Sequence, residues 1–171
     1  MWNKLRRVYR PELYQGPRRL RRYFEGWYYK VASDERAFAL IPGVSRAPDD
    51  PHAFIQLIDG ATGEAAYHRF PLESFEYGTR EFWISVDGNR FHADGFEVSL
   101  PSFRASFSFS NHVRWHGTLL RPGTMGPYSF VPFMECRHGI IVMDAHASGE
   151  VQGARVDGRF YLEKDYGRSF P

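Results

Sequence analysis

Residues 104–110 read Arg-Ala-Ser-Phe-Ser-Phe-Ser, a strict period of two. Phe107 and Phe109 fall on one face, with Ser106, Ser108 and Ser110 on the other. This is the pattern of a strand with one buried face. The same pattern recurs over residues 23–31, 37–41, 53–59, 81–86, 95–100, 139–146 and 159–165. Turn residues separate the runs: Asp-Gly-Ala-Thr-Gly at 59–63, Asp-Gly-Asn at 87–89, Arg-Pro-Gly at 121–123 and Ser-Gly-Glu at 148–150. No stretch sustains the helical period. Many short strands at near-regular intervals predict a mainly β chain, an antiparallel barrel or sandwich. An aromatic content of 17%, with 16 Gly and 11 Pro, favours the same class. Residues 42–51 and 124–132 are rich in Pro and Gly, and are expected to be loops at the rim of a cavity.

A chain of 171 residues suits one domain with a full-sized core. Its net charge of +2 is unevenly spread. Residues 1–30 carry nine Lys and Arg against Glu12 and Glu25, so the remainder is mildly acidic. We therefore divide the chain into a basic arm, residues 1–22, and a β-barrel-like domain, residues 23–171. A short helical piece over residues 17–23 is expected within the arm. The arm is read as solvated, with peripheral contact to anionic lipid as the sharper alternative. No helix-turn-helix, zinc-finger or ribonucleoprotein signature accompanies it, which argues against a nucleic-acid partner. Cys136 is the single cysteine, so an internal disulfide and a multi-cysteine zinc site are excluded. No apolar run reaches the length of a membrane span, and the first residues resemble no secretory leader. The expected location is cytoplasmic, with membrane association as an alternative.

Three clusters have the residue types for chemistry. In residues 159–165, alternation places Tyr161, Glu163 and Asp165 on one face and Phe160, Leu162 and Lys164 on the other. The plain reading is that the acids face water or pair with arginines. The functional reading turns them into a barrel, where desolvation raises a carboxyl pKa into the range of a proton donor. Glu135, His138, Asp144 and His146 form a second group of donors and acceptors. As a metal site it is weak, because the His spacing matches no known ligand pattern, and no metal is expected. Cys136 reads as a small buried hydrophobe. In residues 23–30, Tyr23, Glu25, Trp27 and Tyr29 share one face, and Phe24, Gly26, Tyr28 and Lys30 the other. Both faces are aromatic, so the strand is expected to be covered on both sides, as plain core or as the wall of an apolar ligand site.

Taken together, Phe-Glu-Gly-Trp-Tyr-Tyr-Lys at 24–30, Met-Glu-Cys-Arg-His at 134–138 and Tyr-Leu-Glu-Lys-Asp-Tyr-Gly-Arg-Ser-Phe-Pro at 161–171 resemble the tocopherol cyclase family. The motifs occur in the family's order, although Arg137 and Asp144 depart from its middle motif. The resemblance implies lipocalin-like antiparallel barrel halves, or a strongly bent sheet, enclosing an apolar cavity. Family members are considerably longer, so this chain would match a first half and a second barrel half would be its partner. The implied substrate is a prenylated quinol, closed to a chromanol ring by alkene protonation and phenol attack. That reaction involves no redox change and needs no cofactor. Combined with strand phase, it points to Glu163 or Asp165 as the acid, with Glu135 as an alternative. His138 or His146 would handle the phenol proton, and Trp27, Tyr29, Tyr161 and Glu25 would contact substrate. The alternative function is a non-catalytic lipocalin-like carrier of a prenyl lipid or other apolar molecule.

Overall fold

The computed structural model describes residues 9–16, 22–131 and 134–168. Eleven strands follow in chain order: β1 (Phe24–Ala32), β2 (Ala37–Ala47), β3 (Asp50–Asp59), β4 (Ala65–Phe70), β5 (Phe75–Tyr77), β6 (Trp83–Val86), β7 (Asn89–His92), β8 (Gly95–Leu100), β9 (Phe103–Arg114), β10 (Cys136–Val151) and β11 (Ala154–Gly167). They form one sheet in the order β4-β3-β2-β1-β11-β10-β9-β8-β7-β6-β5. Every pairing is antiparallel. The expectation of a mainly β, strongly bent sheet holds. Among the described residues, the helical segments of several residues are short 3₁₀ turns at Leu72–Ser74 and Gly126–Phe130. Among the described residues, no helix is long and apolar enough to cross a membrane.

Connectivity forces the sheet to curl. β4 and β5 are its opposite edges, yet only residues 71–74 join them. Such a link reaches at most about 18 Å. Ten inter-strand spacings laid flat would separate the edges by about 48 Å. The sheet therefore rolls into an open half-barrel, and β6 comes against β2 and β3.

Aromatic rings fill the concave side. Trp27, Tyr29, Phe38, Phe91, Phe96, Phe107, Phe109 and Phe160 belong to one buried cluster. Phe109 and Phe160 stack with ring centroids 3.5 Å apart. Tyr23, just before β1, and Glu25, Trp27, Tyr29 and Val31 within it are all buried on this side, as the alternation predicts. The outer face of β1 is covered only in its first half. There the Phe54 ring lies over Gly43, which pairs with Gly26. Tyr28 is half-buried and Lys30 exposed.

Several local expectations are corrected. Residues 42–47 are strand rather than loop. Pro42 lacks an N–H, and pairing with β1 lapses between Leu40 and Gly43 while pairing with β3 continues. Residues 148–150 lie inside β10, and the reversal falls at Gln152 and Gly153, both with positive φ. Gly149 marks a close approach of β10 to its neighbour β9, because a Cβ there would sit 2.1 Å from the Ser106 carbonyl. Asp87 and Gly88 make the expected two-residue turn, again with both φ positive. β4, β5 and β7 were absent from the sequence expectation. Most of the helical piece expected over residues 17–23 lies outside the described residues, and Tyr23 leads into β1 in extended form. Of the expected loop 124–132, the described residues 124–131 do avoid strand, and the 3₁₀ turn at Gly126–Phe130 occupies much of the stretch.

Candidate functional site

The described part of the arm, residues 9–16, is not a solvated tail. It crosses one end of the half-barrel, where Leu13 and Gln15 are buried. Lys164 lies opposite Trp27 in the β1–β11 register and shares its inward face. Its Nζ is 2.5 Å from Glu25 Oε1, and both side chains are wholly buried. It also donates to the carbonyls of Pro11 and Leu13, each at 2.7 Å. Glu25 in turn accepts from Gln15 N and the Tyr23 hydroxyl. The Trp27 indole donates to the Glu12 carbonyl. Glu25, Trp27 and Tyr29 are thus engaged in a filled core, and Tyr29 donates to the His92 carbonyl. Burial holds the Tyr29 hydroxyl well above its ordinary pKa. These side chains were expected to line a ligand cavity; the structure packs them against neighbouring rings instead.

The acids of β11 point the other way. Phe160, Leu162 and Lys164 take the concave face, while Tyr161, Glu163 and Asp165 lie partly exposed on the convex one. The expectation that Glu163 or Asp165 projects into the barrel is therefore corrected. The physical reason is the neighbouring strand: Glu25 supplies the countercharge that admits Lys164 to the interior.

On the convex face, however, four of the expected site residues meet. His138 pairs directly with Asp165 across β10 and β11. Their side chains bond at 2.9 Å between Nδ1 and Oδ1. His138 Nε2 stands 3.5 Å from Glu163 Oε2. The Tyr161 hydroxyl donates to Glu163. The Asp165 hydrogen bond raises the His138 pKa above its ordinary value, against the opposing effect of burial. Burial, reinforced by the Glu163 contact, pushes the Tyr161 hydroxyl upward. Glu135 is exposed and outside this group. His146 is also separate, half-exposed and 4.0 Å from Asp157. Asp144 pairs with Arg159. Cys136 is half-buried, and burial raises its thiol pKa, so it is not an activated thiolate.

One further concavity was not legible in the sequence. An open cleft of about 910 Å³ lies where the arm crosses the sheet end. Tyr9 to Glu12 form one wall, Phe82 and Trp83 a second, and Trp115 with Leu119 a third. Ile140 and Ile141 of β10 also line it. β9 pairs with β10 only as far as Arg114↔Val142, so the first part of β10 is free of β9. Residues 124 and 125 flank it instead: Ile140 N donates to Thr124 Oγ1 and His138 N to Met125 Sδ. Trp83, Trp115 and Leu119 keep 42%, 41% and 80% of their surface exposed. Such a run of exposed apolar side chains around a hollow is the mark of a binding surface. Arg10, Glu12, Asp94 and Arg114 place charges around it.

Comparison with family models and with curated proteins gives no match. Among solved structures, the chain is similar to a protein from Nitrosomonas europaea provisionally named AttH, at 14% identity and a TM-score of 0.48. The alignment covers 86% of this chain and 52% of that one, so the chain spans about half the length of that structure.

Proposed function

We propose that the chain binds an apolar small molecule with a polar end, in the cleft at the arm-crossed end of a lipocalin-like half-barrel. The supporting observation is a contrast within the molecule. The interior is occupied by its own rings, whereas the end cleft leaves two tryptophans and a leucine facing solvent. Covering those side chains with a ligand is worth about 25 cal/mol per Å² removed from water. The charged groups at the rim would orient the ligand's polar end. Prenyl lipids are the ligand class that the sequence resemblance nominates.

Ring closure of a prenylated quinol makes further demands. It needs an acid facing a dry site, so that water does not trap the cation. Among the described residues, Glu163 and Asp165 have 22% and 32% of their side-chain surface exposed, on the convex face. The carrier reading is the one this geometry favours. Incubation of the purified chain with a prenylated benzoquinol tests it. Saturable binding, with the quinol recovered unchanged by chromatography, supports the carrier. A cyclised product of the same mass would replace this reading with the isomerase one, and absence of binding would remove both.

A further inference from the structure

We propose that His138, Glu163 and Asp165 form a binding site for one divalent transition-metal ion of the zinc class. This site is separate from the apolar cleft and does not depend on its reading. One ligand atom from each of the three residues can be chosen so that all lie within 4.8 Å of one another. The His138 Nε2 to Glu163 Oε2 separation of 3.5 Å already matches the edge of a tetrahedral site, about 3.4 Å for metal–ligand bonds of about 2.0–2.1 Å. Asp165, now hydrogen-bonded to Nδ1, gives up that bond to supply the third ligand.

The framework is rigid where a site needs it to be. His138 and Asp165 are directly paired across two central strands, and Glu163 lies two residues along on the same face. The spacing is thus held by a hydrogen-bonded ladder rather than by a loop. The donor set, one imidazole and two carboxylates, suits zinc, manganese, cobalt or ferrous iron better than the all-oxygen preference of calcium. The Tyr161 hydroxyl bonded to Glu163 is the type of outer contact that orients a ligating carboxylate. Charge argues in the same direction. Among the described residues, no Lys or Arg forms an ion pair with Glu163 or Asp165, although Asp50, Asp144 and Asp157 each have an arginine. His138 is 39% exposed at its side chain, which leaves an entry path and room for water to complete the coordination shell.

The test uses the untagged full chain, stripped with chelator and titrated calorimetrically with zinc chloride. Cobalt in place of zinc gives a visible-absorption readout of the ligand field. The expected result is one ion per chain, with affinity falling about tenfold or more in each of His138→Ala, Glu163→Gln and Asp165→Asn. His146→Ala, a histidine outside the cluster, should bind as the unaltered protein does. Circular dichroism identifies any variant that fails to fold. The cobalt spectrum of the unaltered chain then decides alone: bands of a site containing nitrogen support the proposal, and the spectrum of the aquo ion overturns it. Absence of binding, or binding that folded variants leave unchanged, overturns it as well.

Discussion

Replacing Lys164 with Met removes the positive charge paired with Glu25 in a fully buried position. The replacement keeps the length and apolar stem of the side chain, so little packing is lost. What remains is a carboxylate with two kinds of hydrogen-bond donor, Gln15 N and the Tyr23 hydroxyl, but without its ion-pair partner. The carbonyls of Pro11 and Leu13 each lose a charged donor as well. Breaking a buried pair from one side costs about 3–5 kcal/mol, which here already includes the unsatisfied carboxylate. That is a large fraction of a stability of about 5–15 kcal/mol. Lys164→Met should therefore lose about 4 kcal/mol in urea unfolding followed by tryptophan fluorescence. Chymotrypsin should also cut faster after Tyr14, because the arm is bound to the sheet through this lysine. Combining Lys164→Met with Glu25→Gln removes the stranded charge, and the double variant should be more stable than Lys164→Met alone. A loss below about 1 kcal/mol, with the arm still protected from chymotrypsin, would refute the claim that this pair anchors the arm.

Gly43→Ala should destabilise the fold by about 1–3 kcal/mol in the same assay, through overpacking. The new Cβ would lie 2.5 Å from the Glu25 carbonyl and 3.0 Å from Gly26 Cα, and neither backbone atom can yield cheaply. Burial raises Tyr14 and Tyr67 from 10.0 to about 12. Their contribution to stability is intact below pH 10 and is lost as pH rises through about 12, because the unfolded chain ionises first. A near-ultraviolet titration of tyrosinate should show this late step, diminished in Tyr67→Phe. Trp115→Ala should weaken binding of a prenylated quinol about tenfold while leaving the unfolding midpoint unchanged, because Trp115 is exposed at the cleft and outside the core cluster.

Strand phase was legible in the sequence because alternation is local. The split of β1 into Glu25, Trp27 and Tyr29 against Gly26, Tyr28 and Lys30 is the one observed, as is that of β11. Which face of β11 turns inward was not legible. Lys164 has the composition of a surface residue, and only Glu25 on the adjacent strand and two carbonyls of the arm make it an interior one. The same non-local logic hides the convex cluster. His138 and Asp165 are 27 residues apart, and the β10–β11 register is what makes them partners. Pro42 and Gly43 looked like loop by composition, yet a lapse in pairing and a covering ring from Phe54 keep them in strand. The cleft is built partly from residues 115–123, which have no periodic signal at all.

The central claim is that ligand occupies the end cleft and leaves the ring-filled interior undisturbed. Two-dimensional NMR of the tryptophan indole N–H groups, recorded during titration with a prenylated benzoquinol, tests it directly. The four indoles include two at the cleft, Trp83 and Trp115, and one in the core, Trp27. The account predicts saturable shifts of Trp83 and Trp115 with Trp27 unmoved. Saturable shifts confined to Trp27 would contradict it, and so would saturating binding that leaves both cleft indoles in place.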